Sequence, residues 1–574
     1  MVDPKQWLAA RTYTPEKLEQ ARLVLEEVRA GIPVGEAVRH HPLPFGGYVA
    51  KHVLVYLYNQ LIAEGEWEED PALLLAIRMK PVRTLSGVTT VTVLTKPYPC
   101  PGNCIFCPTE ECEPKSYLSD EPGARRALQN QFDPYAQVMS RLQALQAVGH
   151  PTDKIELLIL GGTFTAYKRD YQAWFVERCF TAMNQTKVPA LPGADDPVRE
   201  LSAWQSQVVP PLEETQTKLV NSHAENIHSP HRNVGLVMET RPDEITYPEL
   251  AWLRGLGATK LQIGAQSLDD RLLRMNRRGH SVQQTVQAML RMRAAGFKVV
   301  LHWMPNLLGA TPASDALDFV KLWGNVENIG GLCPDEIKIY PTQLLQNSEL
   351  YQYYLRGEYQ PYTEDQLVEL LAEIKATIPA YCRVNRVIRD IPSTNVVEGN
   401  RRTSLRLDVL SEMQRRGRSC QCIRCREVGN AKVDPETLIY QDLVYQPQSL
   451  AGEARSVEHF LSYNTPGNQL AGYLRLSLPA DVPPQKDAVI PDLAAAAIVR
   501  EVHVFGQSLA VGSEQAGAAQ HIGLGTELIN RAADLARQSG FHRLAVISAI
   551  GTRAYYHKRG FTQGGLYQIM TLNE

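Results

Sequence analysis

The 574-residue chain lacks charge of one sign: 59 Lys and Arg stand against 62 Asp and Glu, a net of -3. Global attraction is thereby excluded as the way to hold a nucleic acid, and any basic surface must be local. It lacks an apolar run long enough to cross a bilayer, which excludes a helical membrane span. The opening MVDPKQWLAA lacks a basic segment followed by an apolar one, so no secretory leader is expected and the chain is read as cytoplasmic. It also lacks internal repeats and low-complexity tracts, so it does not read as a solenoid.

What is present suits several packed domains. Hydrophobic residues make up 44% of the chain, ample for cores, and a prior of roughly 150 residues per domain gives three or four units. Residues 1–85 carry helical apolar stripes, as in TPEKLEQARLVLEEVRAG with its cap-like Thr14-Pro15, and are read as a helical module. From 86 to 382 apolar strand-like runs (TTVTVL, IELLILGG, VGLVMETRPD, KLQIGAQSLD, KVVLHWMPN) alternate with helix-like segments. This is the rhythm of parallel α/β units, expected to form a full or partial barrel with its chemistry at the strands' C-terminal ends. The Pro-rich stretch 187–211 interrupts the rhythm and is read as a loop insertion. Residues 383–432 form a basic linker. Residues 433–574 have a third texture, of short strands and one glycine turn leading into a helix.

The ten cysteines are unevenly placed. In a reducing compartment clustered thiols point to metal rather than to disulfides. The loop KPYPCPGNCIFCPTE holds Cys100, Cys104 and Cys107 within eight residues. A cubic iron–sulfur cluster normally takes four thiolates, so three leave one iron open for a substrate or cofactor. The other reading of the spacing is a zinc knuckle completed from elsewhere, for example by Cys112.

The spacing C-x3-C-x2-C after a first strand resembles the radical S-adenosylmethionine superfamily. That resemblance implies a 4Fe-4S cluster on Cys100, Cys104 and Cys107. It also implies S-adenosylmethionine chelated to the open iron and cleaved by one electron to a 5'-deoxyadenosyl radical. Further motifs recur in order at strand ends. Gly161, Gly162 and Thr163 of GGTF, Glu239 of ETRPD and Gln266 of GAQSLDD would by this resemblance contact S-adenosylmethionine.

Near the C-terminus, QHIGLGTEL puts Gln520, Gly523, Leu524, Gly525 and Thr526 on a turn entering a helix, a geometry suited to pyrophosphate. It follows the strand-like REVHVFG, whose edge can pair with an extended ligand. The order resembles GNAT-type acetyltransferases. By that resemblance acetyl-CoA would meet Glu501, Val502, His503 and Val504 on the strand, the glycine turn, and a tyrosine by the thioester. Tyr555 and Tyr556 are the candidates, and Tyr556 is taken as the catalytic one.

The two modules together resemble the Elongator catalytic-subunit family of tRNA wobble-uridine acetyltransferases, in its single-chain bacterial or archaeal form. VRTLSGVTTVTVLTKPYPCPGNCIFCP, NRRGH, IYPT, VNRVIRDIP and EVHVFG fit its pattern in order. The resemblance implies that a carbon radical made from the acetyl group of acetyl-CoA adds to carbon 5 of the wobble uridine. Thioester hydrolysis would then leave a carboxymethyl group. It also implies that Lys154 contacts acetyl-CoA.

Cys420, Cys422 and Cys425 in CQCIRC can converge on one zinc ion. Cys333 is the first choice for a fourth ligand and Cys382 the second. Around them, eleven arginines stand against four acids between Arg383 and Arg426. That strip is expected to meet tRNA phosphates through Arg401, Arg402, Arg415 and Arg416. Two other readings make different predictions: a protein lysine acetyltransferase with a structural iron–sulfur domain, and a non-catalytic RNA-binding adaptor.

Overall fold

The computed structural model describes residues 13–44, 46–84, 86–186, 207–326, 329–402, 404–429, 431, 433–505 and 523–572. Most of the 187–211 stretch, and Gln520, lie outside these residues.

Strands β1 (Thr89–Leu94), β2 (Lys154–Leu160), β3 (Arg232–Thr240), β4 (Lys260–Gln266), β5 (Lys298–Trp303), β8 (Glu336–Ile339) and β9 (Arg383–Arg386) form one sheet in that order. A short antiparallel pair, β6 (Gly324–Val326) and β7 (Ile329–Gly330), lies between β5 and β8 in sequence. Every neighbouring pair in the large sheet is parallel. Among the described residues β1 and β9 do not pair, so the barrel is partial and open on one side. β9 pairs with β8, which carries the barrel sheet four residues past the expected boundary at 382.

The side-chain period of two decides what each face does. In β2, Ile155, Leu157 and Ile159 are buried in the main core, while the alternate Glu156, Leu158 and Leu160 face the lumen. Helices Pro134–Gln146, Arg169–Met183, Tyr247–Gly255, Val282–Ala294 and Glu364–Lys375 lie between successive strands. Two of these open on reciprocal side-chain caps, Ser281 with Gln284 and Thr363 with Gln366, which satisfy the first-turn amides. The lumen is unusual in being polar: Thr92, Gln262, His302, Lys338, Lys260 and Glu336 line it. Barrel interiors are ordinarily filled by branched apolar side chains, so this one is kept open for chemistry.

The N-terminal module packs helices Pro15–Arg29, Val34–His40, Lys51–Ala63 and Pro71–Ile77 around a core of its own that includes Val24, Leu25, Leu54 and Leu61. Thr14 caps the first of them, its hydroxyl accepting from the Lys17 amide (3.4 Å).

The C-terminal sheet has the order β10-β11-β12-β13-β14-β16-β15. Its strands are β10 (Ile439–Tyr445), β11 (Arg455–Asn464), β12 (Leu470–Ala480), β13 (Ala497–Val504), β14 (Arg543–Val546), β15 (Thr562–Gln563) and β16 (Gln568–Thr571). All neighbours are antiparallel except β13 and β14. Those two pair only over Ala497–Val499 with Leu544–Val546; beyond that, β13 runs on beside β12 alone. Helix Leu524–Gln538 supplies the crossover between them.

This domain docks on the barrel floor, where the strands begin. Arg500 on β13 donates to Asp335 (2.7 and 2.8 Å), just before β8, and Arg475 on β12 lies 3.4 Å from the same carboxylate. All three side chains are buried.

Candidate active site

The loop after β1 carries the three thiols. Cys104 is buried, and Cys100 and Cys107 are half-buried. Cys107, against which Cys104 hydrogen-bonds, and the Arg278 guanidinium (Nη1 to Cys104 Sγ, 3.7 Å) hold Cys104 down to about 5 despite burial. The same contact and burial push Cys107 up. Cys100 Sγ lies 3.9 Å from the Thr163 hydroxyl. Cys112 is exposed. Among the described residues, only Cys420, Cys422 and Cys425 form a trio whose ligand atoms lie within 4.8 Å of one another. The loop thiols are not gathered for one ion, which suits three separate irons better than a zinc knuckle.

Two cations face this loop. Arg241 Nε and Nη2 donate to Asp243 (3.0 and 2.9 Å), and Nη2 also to the Arg278 carbonyl (3.1 Å). Its Nη1 is buried with no partner. A side-chain carbon at Gly102 would stand 2.3 Å from that nitrogen, so any larger residue there would push the guanidinium aside. A buried guanidinium nitrogen left without an acceptor beside this loop is costly alone and fits a thiolate-bound, negatively charged cluster.

Gly161 (φ +126) and Gly162 (φ +92) follow β2, and a side chain at Gly161 would collide with the Thr95 hydroxyl at 1.9 Å. Gln266 ends β4 in the left-handed region (φ +70), with its Oε1 buried and unpartnered. Such strain in a non-glycine residue clusters at ligand sites. Glu239, near the end of β3, accepts from the Tyr117 hydroxyl (3.3 Å) and lies 3.7 Å from His302 Nδ1. Burial raises its pKa, although Lys338 and Arg389 oppose the shift.

The lumen holds groups that motif reading missed. Lys338 Nζ donates to Gln262 Oε1, which also meets His302 Nε2 (3.0 Å). Burial lowers Lys338 to about 8, with Glu239 resisting, and drives His302 well below its usual value. The signal was present as polar residues at alternate strand positions, but only the barrel's register brings them together.

A cavity of about 1130 Å³ runs from the loop after β1 through the lumen to the C-terminal domain. It is lined by Phe106 and Cys107 at the cluster loop, by Glu239 and Gln266 at the strand ends, and by Glu501 and Tyr556 in the C-terminal domain. Val502 and His503 also line it; among the described residues Cys100, Gly161, Lys154, Gly523 and Gly525 do not. Lys154 opens β2, where burial lowers its pKa. Gly523 (φ +75) caps helix Leu524–Gln538, and Thr526 Oγ1 accepts from Arg559 (2.8 and 3.0 Å). Tyr555 turns towards that turn: a side chain at Gly525 would stand 2.5 Å from its hydroxyl. Tyr556 is the buried one of the pair, and burial pushes its pKa up.

In the cysteine trio, hydrogen bonds from Cys420 and Cys425 hold Cys422 far below the usual thiol value, outweighing burial. The same contact with Cys422, a hydrogen bond with Cys425 and burial push Cys420 up, so without an ion the trio shares one thiolate, and a zinc ion would have to displace the remaining protons. Cys333, expected as fourth ligand, is not brought to it: it is buried and its thiol contacts Tyr381. Cys382, the second choice, is likewise outside the trio and turns to the Arg383 carbonyl (3.9 Å). The neighbours at the trio are instead two cations: the buried Lys375, whose Nζ donates to Cys420 Sγ (3.4 Å), and Arg406, whose Nη2 donates to Cys425 Sγ (3.8 Å).

The basic strip divides into two sets. Arg383, Arg386, Arg389 and Arg424 line the cavity. Arg401 and Arg402 are exposed; Arg401 donates to the Val397 carbonyl and Arg402 pairs with Glu364 (2.8 Å). Arg415 and Arg416 share Glu412. Pairing thus neutralises part of the excess read from the sequence.

Residues 98–320 match the family model of the radical SAM superfamily, 334–415 that of the Radical_SAM C-terminal domain, and 432–561 that of the acetyltransferase (GNAT) family. The tRNA uridine(34) acetyltransferase of Methanocaldococcus infernus is 37% identical over 524 residues, covering 89% of this chain and 90% of that protein. Elongator complex protein 3 of Danio rerio is 34% identical, covering 87% of each. The solved structure of the archaeal Methanocaldococcus infernus Elp3 with an N-terminal deletion aligns with a TM-score of 0.67 at 32% identity, covering 85% of this chain and 100% of that one. The chain belongs to the family of tRNA uridine(34) acetyltransferases and Elongator complex protein 3.

Proposed function

We propose that this enzyme places a carboxymethyl group, drawn from acetyl-CoA, on carbon 5 of the wobble uridine of tRNA. The observation that carries this reading is the one cavity reaching from Cys107 and Gln266 to Glu501 and Tyr556. A lysine acetyltransferase with a merely structural iron–sulfur domain would need no such passage.

The reading assigns each residue a role. Cys100, Cys104 and Cys107 hold three irons of a 4Fe-4S cluster, and Arg241 and Arg278 balance its charge. Gly161, Gly162 and Thr163 give S-adenosylmethionine close backbone approach, with Glu239 and Gln266 at neighbouring strand ends. When bound, cluster and cofactor supply the one-electron chemistry that a bond to an unactivated pyrimidine carbon demands. The β13 edge from Glu501 to Val504 offers backbone hydrogen bonds to the coenzyme's amide arm. Leu524, Gly525 and Thr526, with Gly523 and Gln520 before them, meet its pyrophosphate at the helix N-terminus. Lys154 is a further coenzyme contact. Tyr556, kept protonated by burial, donates a hydrogen bond or proton to the departing thiolate. Cys420, Cys422 and Cys425 bind a structural zinc. Arg401, Arg402, Arg415 and Arg416 meet tRNA phosphates, while the cavity-lining arginines receive the unstacked anticodon nucleotide.

The test measures tRNA-stimulated acetyl-CoA hydrolysis alongside 5'-deoxyadenosine release. Cys104→Ser is expected to lose the second and keep the first. Hydrolysis stimulated by a lysine peptide and indifferent to tRNA would contradict the proposal.

A further inference from the structure

The C-terminal domain does not shape its own coenzyme edge. β13 carries a bulge: Val499 and Glu501 oppose consecutive β12 residues, Leu476 and Arg475, so Arg500 is the extra residue. Bulges re-aim side chains and end pairing, and here pairing with β14 stops at Val499. The two residues at the bulge both send their charges into the barrel floor. Arg500 donates to Asp335 and to the Phe297 carbonyl (3.1 Å), and pairs with Glu458 (2.7 Å) on β11. Glu501 is gripped by Lys298, the first residue of β5, as well as by Arg475 (2.9 Å) and the Tyr473 hydroxyl (2.8 Å) from β12.

Lys298 is itself one link in a chain of alternating charge. Glu156 pairs with Lys260 (2.6 Å), Lys260 with Glu336 (3.3 Å), Glu336 with Lys298, and Lys298 with Glu501. Burial alone would raise Glu501, but Lys298 and Arg475 outweigh it and hold it at about 2. Its carboxylate is therefore charged and fully engaged by protein cations. Whatever Glu501 gives the coenzyme must come from its main chain. Among the described residues, Lys298 is the one cation the barrel contributes directly to the Glu501 carboxylate.

We propose that Lys298 is a positioning residue for acetyl-CoA: the barrel supplies the cation that holds Glu501, and with it the bulged end of β13, in the shape that receives the coenzyme. The acetyl-CoA half of the reaction is thus completed by the radical half. This rests on the reading of the β13 edge as the coenzyme site.

The experiment uses the full chain, with acetyl-CoA as the probe and calorimetric Kd, hydrolysis KM and kcat, and 5'-deoxyadenosine release as readouts. Lys298→Met is expected to raise Kd and KM about tenfold, because Arg475 and the Tyr473 hydroxyl still hold the Glu501 carboxylate and limit how far the main chain shifts. kcat at saturation and 5'-deoxyadenosine release should stay within about twofold of the parent. Lys298→Arg restores binding by keeping the charge. Tyr473→Phe, which removes a single hydrogen bond to the same carboxylate, gives a smaller rise in Kd and keeps the proposal testable if Lys298→Met does not fold. Parental Kd in Lys298→Met or Tyr473→Phe, with the wild type binding normally, overturns the proposal alone. Failure of the wild type to bind acetyl-CoA overturns the reading on which it stands. Parallel loss of binding and 5'-deoxyadenosine release in both lysine variants also overturns it, since that is a collapse of the barrel floor.

Discussion

Replacing Asp335 should cut the link between the two catalytic halves. Its carboxylate accepts two hydrogen bonds from Arg500, one from the Val299 amide (2.9 Å), and faces Arg475. Burial works against the charge, yet Arg500 and Arg475 hold the acid well below the usual carboxylate range. Removing one partner of a buried pair leaves the others uncompensated and costs about 3–5 kcal/mol. Asp335→Ala should therefore lose about 4 kcal/mol, softened by the Glu458 and Glu501 carboxylates that Arg500 and Arg475 keep. Asp335→Asn preserves shape and an acceptor for Val299, and should lose about 2 kcal/mol, the range for hydrogen bonds to charged groups. Urea unfolding, followed by tryptophan fluorescence and by calorimetry, reads the loss. The C-terminal domain should also begin to melt separately from the barrel. A loss below about 1 kcal/mol in Asp335→Ala would refute the reasoning, because it would mean that the floor charges are solvated rather than buried.

Three other outcomes are expected. Glu113 is buried with both oxygens unpartnered, and burial, with Glu110 and Glu121, raises it to about 7. Its folded pKa exceeds the unfolded one, so stability is retained below about pH 4.5 and lost as pH rises to 7. Glu113→Gln should accordingly stabilise the protein by up to about 3 kcal/mol at pH 8 and be neutral at pH 4, which a pH series of urea midpoints checks. Replacing Cys422 and Cys425 with Ser together should abolish zinc in elemental analysis and leave iron unchanged; unchanged zinc would exclude the site. Replacing Arg401, Arg402, Arg415 and Arg416 should weaken tRNA binding and flatten its salt dependence, and unchanged affinity at low salt would remove them from the interface.

What could be read from the sequence was what is local along the chain. The three thiols sit in one short loop, Gly161 and Gly162 mark a turn that rejects side chains, and Thr14-Pro15 announces its helix. The lumen could not be read so. Gln262, His302 and Lys338 lie on three strands, and only their register puts them in contact. Arg241 lies within the ETRPD motif, but that its Nη1 is left without a partner beside Gly102 is a fact of the folded chain alone. Cys333, the expected fourth ligand, lies before β8, where it is buried beside Tyr381 and away from the trio. Glu501 was expected as a coenzyme contact, and the sequence gives no hint that the barrel ties up its carboxylate. The arginine excess was counted along the chain, whereas Glu364, Glu369 and Glu427, which neutralise part of it, lie outside the counted window.

The central claim is that one cavity brings an acetyl carbon to a tRNA base. It is tested most directly by incubating the reduced, cluster-loaded enzyme with tRNA, S-adenosylmethionine and acetyl-CoA labelled with carbon-13 in the methyl group. The wobble nucleoside is then examined by mass spectrometry. The account predicts label on the wobble uridine base that requires S-adenosylmethionine and disappears in Cys104→Ser. Label on the base without S-adenosylmethionine, or label on protein lysines and none on tRNA, would contradict it.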